Sequence, residues 1–138
     1  MYLNKSNEVT FNTPKGTIYN AVSGDRMLVD KGKRVASLES QSVEPRTAAG
    51  LNQNGRWLFL VVIDGRQAGY SEGATFPDLA DFLITLGVYT GLNLDGGGSS
   101  AMVIKGALGG PFVLNSPIEG NIPGNESAVA NHLGFWVG

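Results

Sequence analysis

The chain has 138 residues, the size of one domain, and 42% of them are hydrophobic, enough for a core of its own. A net charge of -2 excludes the basic footprint of a nucleic-acid binder or of a protein held on an anionic membrane surface, and the absence of cysteine excludes disulfides and thiolate metal sites. No apolar run reaches the ~20 residues of a membrane span, and MYLNKSNEVTF lacks the apolar stretch of a signal peptide, so the location expected is the cytoplasm, or the host cytoplasm if the source is viral.

In chain order, the first forty residues read as short strands and turns. EVTFNT and TIYNAV alternate in polarity, with turn signals at PKG and SGD, and RMLVDKGKRVASL reads as a hairpin around Asp30-Lys31-Gly32. RTAAGLN and RWLFLVVID follow as a second hairpin, turning at Gln53-Asn54-Gly55. Leu58 to Ile63 is apolar at every position, which predicts a central strand buried on both faces.

ATFPDLADFLITLG is the one clear helix. Thr75 caps it with Asp78 three residues on, Pro77 suits the first turn, and Phe76, Leu79, Ala80, Leu83 and Leu86 form an apolar stripe ended by Gly87. GLNLD, SAMVIKG, GPFVLN and HLGFWVG complete the strands, with His132, Phe135 and Trp136 expected to be structural residues of the last one. The class predicted is α+β: a mostly antiparallel or mixed sheet with one main helix, in a single compact domain over residues 1–138.

Polar groups gather at the ends of three apolar strands. After the run to Ile63 come Asp64, Arg66, Ser71 and Glu72; within NLDGGGSS lie Asn93, Asp95, Ser99 and Ser100; later come Asn115, Glu126, Asn131 and His132. Such groups beside glycines that let the backbone approach are a common ligand-site arrangement. Asp64-Gly65 alone reads first as a turn. The amides of Gly96, Gly97 and Gly98 suit an anion nest or a merely tight loop. No phosphate-loop or dinucleotide glycine motif is present, Ser99 and Ser100 are not in a nucleophile elbow, and one histidine without cysteine does not suggest zinc.

Pro45-Arg46-Thr47-Ala48-Ala49-Gly50, Asp64-Gly65-Arg66, Ser71-Glu72-Gly73, Asn93 to Ser100, Asn115-Ser116-Pro117 and Asn125-Glu126 stand in this order. Together they resemble the phosphodiester glycosidase family, most strongly over residues 45–137. Two features differ: the family's usual N-terminal segment with an Asn-Gly-Gly-(Tyr/Phe)-Phe motif is absent, and a late Glu-Arg is here Glu126-Ser127.

The resemblance implies a hydrolase that cleaves a sugar 1-phosphodiester on its glycosidic side. Asp64, Glu72, Asp95 and Glu126 are then the candidate catalytic carboxylates. Arg46 and Arg66 are candidate phosphate ligands, and Thr47, Ser71, Asn93, Gly96, Gly97, Gly98, Ser99, Ser100 and Asn115 line the substrate. Asp95, Glu72, Arg46 and Arg66 are expected in one pocket. No particular cofactor is implied, and two of the carboxylates could instead hold a divalent cation through oxygen ligands. The alternatives are a non-catalytic module that captures a phosphorylated sugar or nucleotide, and a fragment of a larger bacterial or phage enzyme. A homodimer is expected, with the partner covering the N-terminal strands, unless the first sixteen residues fold back over them.

Overall fold

In the computed structural model, which describes residues 1–39, 42–130 and 132–136, two hairpins flank a central strand. The first pairs β4 (Arg26–Asp30) with β5 (Lys33–Arg34). Lys31 and Gly32, at φ 51° and 72°, give two successive positive φ angles, the requirement of a tight type I′ turn. The second pairs β6 (Arg46–Leu51) with β7 (Leu58–Ile63) in unbroken register from Arg46↔Ile63 to Leu51↔Leu58. Its turn closes where Gly55, at φ 69°, donates its N–H to the Asn52 carbonyl at 3.0 Å.

After β7 the chain passes through the helix α1 (Phe76–Thr85) and returns as β8 (Thr90–Asn93), which inserts between the hairpins. The sheet order is β5-β4-β8-β6-β7, and every pairing in it is antiparallel. The central position thus belongs to β8, whose Gly91, Leu92 and Asn93 are buried. β7 lies at an edge and is half-buried, with Leu60 exposed, which corrects the expectation of a doubly buried central strand. Phe59, Val61 and Ile63 pack on the helix side while Leu58 reaches the other face, so the run is apolar throughout without being central.

The helix begins as its sequence dictates. Thr75 accepts from Asp78 N at 3.2 Å and Asp78 accepts from Thr75 N at 3.2 Å, closing a capping box with proline in the first turn. Phe76, Leu79, Ala80 and Leu83 bury one face against Leu28, Val29, Ala48 and Val88. Leu86 stands in the cap and is exposed rather than continuing that stripe. Gly50 lets the helix exit approach the sheet, since a Cβ there would meet Val88 Cγ1 at 2.6 Å.

The opposite face of the sheet is covered by the N-terminal strands β1 (Tyr2–Asn4), β2 (Val9–Thr10) and β3 (Ile18–Ala21), which form a sheet of order β2-β1-β3. Met1, Leu3, Val9, Phe11 and Val22 pack there on Ala49, Leu92 and Leu58. Two short hairpins follow the main sheet: β9 (Val103–Lys105) with β10 (Pro111–Val113), and β11 (Ile118–Glu119) with β12 (Ile122–Pro123). The final strand predicted over HLGFWVG does not form among the described residues. His132 is exposed, Phe135 and Trp136 are 50% and 86% exposed, and Leu133, alone among the described residues of that tail, packs on the core. Asn131, Val137 and Gly138 lie outside the described residues. The whole is an α+β domain, one helix on a mostly antiparallel β framework.

Candidate active site

The pairing of β6 with β8 sets Ala48 opposite Asn93, so the start of β6 and the loop after β8 lie side by side. Two backbone bonds continue the pairing past the strand ends: Leu94 N donates to the Thr47 carbonyl at 2.8 Å, and Gly97 N to the Pro45 carbonyl at 3.0 Å. A cleft of about 540 Å³ opens here. Its charged walls are Asp25, Glu44, Arg46, Arg66 and Asp95, and Ser23, Gly24, Asn93 and the 94–97 loop complete it.

Arg46 is only 7% exposed. Its Nε donates to the Ala74 carbonyl at 3.0 Å and its Nη2 to the Ser42 carbonyl at 2.8 Å. The guanidinium lies 3.9 Å from the centre of the Phe76 ring, and Arg26 lies 4.2 Å from the same ring. Burial pulls the Arg46 pKa below its ordinary value, and the charges of Glu44 and Asp25 oppose that shift. The side chain is therefore fixed before any ligand arrives, with Nη1 unengaged among the described residues.

Arg66 is held differently. Its backbone is in the left-handed region at φ 57°, which costs roughly 1–2 kcal/mol for a residue with a Cβ. Bonds from Arg66 N to the Glu72 carbonyl and from Gln67 N to the Ser71 carbonyl hold that turn. Its Nε donates to Glu44 Oε2 at 2.5 Å. Burial pushes the Glu44 carboxyl up, but the hydrogen bond and charge of Arg66, aided by Ser42 and Arg46, outweigh it and carry the group below the usual carboxylate range.

The three glycines each answer to a close approach. A Cβ on Gly96 would stand 2.9 Å from the Pro45 carbonyl, and one on Gly97, at φ 62°, 3.2 Å from Arg66 Nη2. A Cβ on Gly98 would collide with the Glu119 carboxylate and the Ser127 hydroxyl, which bond to one another. The amides are largely engaged within the protein: Gly96 N donates to Asp95 Oδ1 at 2.9 Å, Gly97 N to Pro45, Ser99 N to Gly96 and Ser100 N to Gly97. Of the three glycine amides the nest required, Gly98 N alone has no partner among the described residues. The loop is thus a tightly packed turn rather than an open nest of amides.

Of the expected site residues, Arg46, Arg66, Asn93, Asp95, Gly96 and Gly97 line this cleft. Gly98 and Ser99 continue the loop as a single 3-10 turn, and Ser100 is buried behind it. Glu72 is exposed and does not line the cleft, so the shared pocket holds Asp95 with the two arginines but without Glu72. Glu126 is exposed outside it too, next to Ser127. Asp64 is at the centre of another cluster. Its carboxylate accepts from Asn115 Nδ2 at 2.8 Å, from Ser116 N at 2.9 Å and from Tyr70 Oη at 2.9 Å. Ser71 closes the same loop by donating to the Asp64 carbonyl at 2.6 Å, and Asn115 also donates to the Ser100 carbonyl at 2.8 Å. The Thr47, Asn93 and Ser100 side chains each carry one buried oxygen without a partner among the described residues.

The sequence reading missed Asp25 and Glu44. Asp25 was hidden in SGD, which carries only a turn signal, yet it accepts from Asn93 Nδ2 at 2.8 Å and from Arg26 Nε at 2.9 Å. Glu44 directly precedes Pro45-Arg46, and that adjacency was the available signal. Among the described residues, no three Asp, Glu or His side chains form a group able to hold a metal ion.

Two guanidiniums and three carboxylates thus meet in one cleft at one end of the sheet. A sequence profile of the phosphodiester glycosidase family matches residues 3–136, and the chain belongs to that family. It is similar to N-acetylglucosamine-1-phosphodiester alpha-N-acetylglucosaminidase of Bos taurus, with 36% identity over 66 residues, 48% of this chain and 12% of the bovine protein. Among solved structures, a putative exported protein from Burkholderia pseudomallei K96243 is 40% identical at a TM-score of 0.50, over 56% of this chain and 14% of that one. The catalytic domain of zebrafish N-acetylglucosamine-1-phosphodiester alpha-N-acetylglucosaminidase, auto-inhibited by its pro-peptide, shares the fold at 23% identity and a TM-score of 0.52. That match covers 71% of this chain and 34% of the zebrafish one. The chain thus spans only a minor part of each relative's length. No helix among the described residues is long and apolar enough to cross a membrane.

Proposed function

We propose that the chain hydrolyses a sugar 1-phosphodiester on its glycosidic side, releasing a free sugar and a phosphomonoester. One observation carries this reading: Arg46 and Arg66 share a cleft with Asp95, the only carboxylate there with an oxygen free of partners among the described residues. Both oxygens of Asp25 and of Glu44 are engaged, by Asn93 and Arg26 and by Ser42 and Arg66. Family membership and the name of the bovine relative support the same substrate class.

In this reading the phosphate sits against the two guanidiniums, which stabilise the charge that grows on the departing phosphomonoester. Water bonds to the anomeric carbon as the bond from that carbon to the phosphate oxygen breaks, its electron pair leaving with the phosphate. The water proton passes to the free oxygen of Asp95. A phosphomonoester is a good leaving group, so the reaction does not depend on a strong general acid. Asp64 holds the 115–116 segment in place rather than touching substrate.

Incubation with an N-acetylglucosamine 1-phosphodiester and mass-spectrometric detection of free sugar tests the reading. Asp95→Asn should lower kcat by about a hundredfold or more while leaving thermal stability unchanged. Undiminished turnover in that variant overturns the assignment. Ligand binding without any turnover in the unmodified protein indicates the capturing module instead. The homodimer expectation is tested by light scattering on the eluting protein. The N-terminal strands already cover their face of the sheet within one chain, and a monomer mass across micromolar concentrations would end that proposal.

A further inference from the structure

The two edges of the main sheet are unlike. β5 is 2 residues long, Lys33 and Arg34, both exposed, and Arg34 pairs with Asp81 at 2.7 Å. A short, charged strand is one way a sheet edge is kept from recruiting another strand. β7 has neither guard. It runs 6 residues, Leu58 to Ile63, holds no charge and no proline, and keeps unbroken register with β6. No strand lies on its far side among the described residues. The pairing decides which of its groups face outward. Asn52 N donates to the Trp57 carbonyl at 3.2 Å, so Trp57 is a hydrogen-bonded position, and alternation makes Phe59, Val61 and Ile63 the others. Leu58, Leu60 and Val62 therefore direct their N–H and C=O groups to the free edge. β6 agrees: the Thr47 carbonyl accepts from Leu94 N on the β8 side, and Thr47 stands opposite Val62.

We infer that β7 pairs with β7 of a second copy of this chain, antiparallel and across a twofold axis at Leu60, so that two sheets join into one. Self-complementarity and charge select this occupant. Only the outward-facing positions can exchange hydrogen bonds, and centring on Leu60 matches them, Leu60 opposite Leu60 and Leu58 opposite Val62. The same register sets Trp57 opposite Ile63 and Phe59 opposite Val61, aromatic rings against β-branched side chains. Trp57 and Leu60, 68% and 38% exposed in the single chain, are both covered by this pairing. Beyond the strand ends, Arg56 of one copy stands opposite Asp64 of the other, so opposite rather than like charges meet. The contact lies on β7 and not on the N-terminal strands, and it holds whether or not the chain is a hydrolase.

Sedimentation velocity on the whole chain, from roughly 1 to 100 µM, should show a monomer–dimer equilibrium, as a contact made by one strand pair implies. Leu60→Lys sets two ammonium groups side by side at the axis and should leave only monomer. Leu60 belongs to neither core cluster, so the far-ultraviolet circular dichroism should not change. Arg56→Glu places like charges opposite at both ends and should weaken the dimer several-fold; its side chain forms no ion pair among the described residues. A third variant reads the register. The chain has no cysteine, so Leu60→Cys meets only its own copy, at about 5.5 Å between Cα atoms, within reach of a disulfide or a short bismaleimide linker. Tyr19→Cys, exposed on β3 of the N-terminal sheet, should not be linked. Linkage through Leu60→Cys and not through Tyr19→Cys supports the inference. A parent that stays monomeric, a dimer that survives both Leu60→Lys and Arg56→Glu, or linkage absent from Leu60→Cys overturns it.

Discussion

Asp64→Asn separates a structural carboxylate from a catalytic one. In the native protein the Asp64 carboxylate receives hydrogen bonds from Asn115, Ser116 and Tyr70, and so ties the segment after β10 to the end of β7. An asparagine keeps one acceptor oxygen and replaces the other with an N–H group. If the oxygen remains beside Asn115, the new amide faces Ser116 N and Tyr70 Oη, where the lost oxygen stood 2.9 Å from each. Tyr70 can rotate its hydroxyl to accept, while Ser116 N keeps only its longer bond, 3.1 Å, to the retained oxygen. The loss is the shorter arm of the Ser116 bond together with the charge that strengthened the others, about 1.5–3 kcal/mol. We therefore expect a destabilisation of about 2 kcal/mol. Urea unfolding followed by tryptophan fluorescence measures it, and with a slope of 1–3 kcal/mol per molar the midpoint should fall by roughly 1 M or more. A shift below about 0.5 kcal/mol together with abolished turnover would refute the structural assignment and return Asp64 to the chemistry.

Gly73→Ala combines an unfavourable backbone at φ 112° with a Cβ 2.5 Å from the Glu44 carbonyl carbon and oxygen; we expect a loss above about 3 kcal/mol, and a thermal midpoint within a few degrees of the parent contradicts that. Phe76→Leu removes the ring against which Arg46 and Arg26 stack, and should weaken binding of a sugar phosphate several-fold at a stability cost of about 1–2 kcal/mol; calorimetry showing unchanged affinity would mean that Arg46 is positioned by its hydrogen bonds alone. Glu44 has a folded pKa below its ordinary 4.5, so its contribution to stability is full above that value and disappears as the pH falls through the folded pKa. Glu44→Gln should therefore flatten the acid limb of the stability profile below about pH 4.5, and an unaltered limb in acid titrations would count against the Glu44–Arg66 pair.

Local signals carried much of the fold. The capping box at Thr75, the Lys31-Gly32 turn and the Asn54-Gly55 turn each depend on a few neighbouring residues, and each forms where the sequence places it. Strand position in the sheet was not legible. Leu58 to Ile63 is apolar at all six positions, but what makes a strand central is which neighbours pair with it, and β8, with two buried residues of modest size and one leucine, takes that position. HLGFWVG misled for a similar reason: its aromatic content suits a strand, yet Phe135 and Trp136 find no partner strand among the described residues. At the site, the arginines and Asp95 stood in recognisable motifs. Asp25 became a site residue only through a bond to Asn93, 68 positions away, which no local pattern announces.

The glycine loop shows how one motif serves geometry before chemistry. Its amides are mostly engaged inside the protein, so whatever it contributes to a ligand does not come from a ring of free N–H groups. What the missing side chains allow is approach: Gly96 to Pro45, Gly97 to Arg66, Gly98 to the Glu119–Ser127 pair. These approaches bring the loop carrying Asp95 against the strand end carrying Arg46 and beneath the guanidinium of Arg66. A side chain at Gly97 would meet Arg66 directly and need a backbone angle that L-residues rarely adopt. The loop therefore acts as a spacer of minimal thickness. By that argument a substitution there acts on the site through the placement of Asp95 and Arg66, the two groups on which the proposed phosphate and proton steps depend.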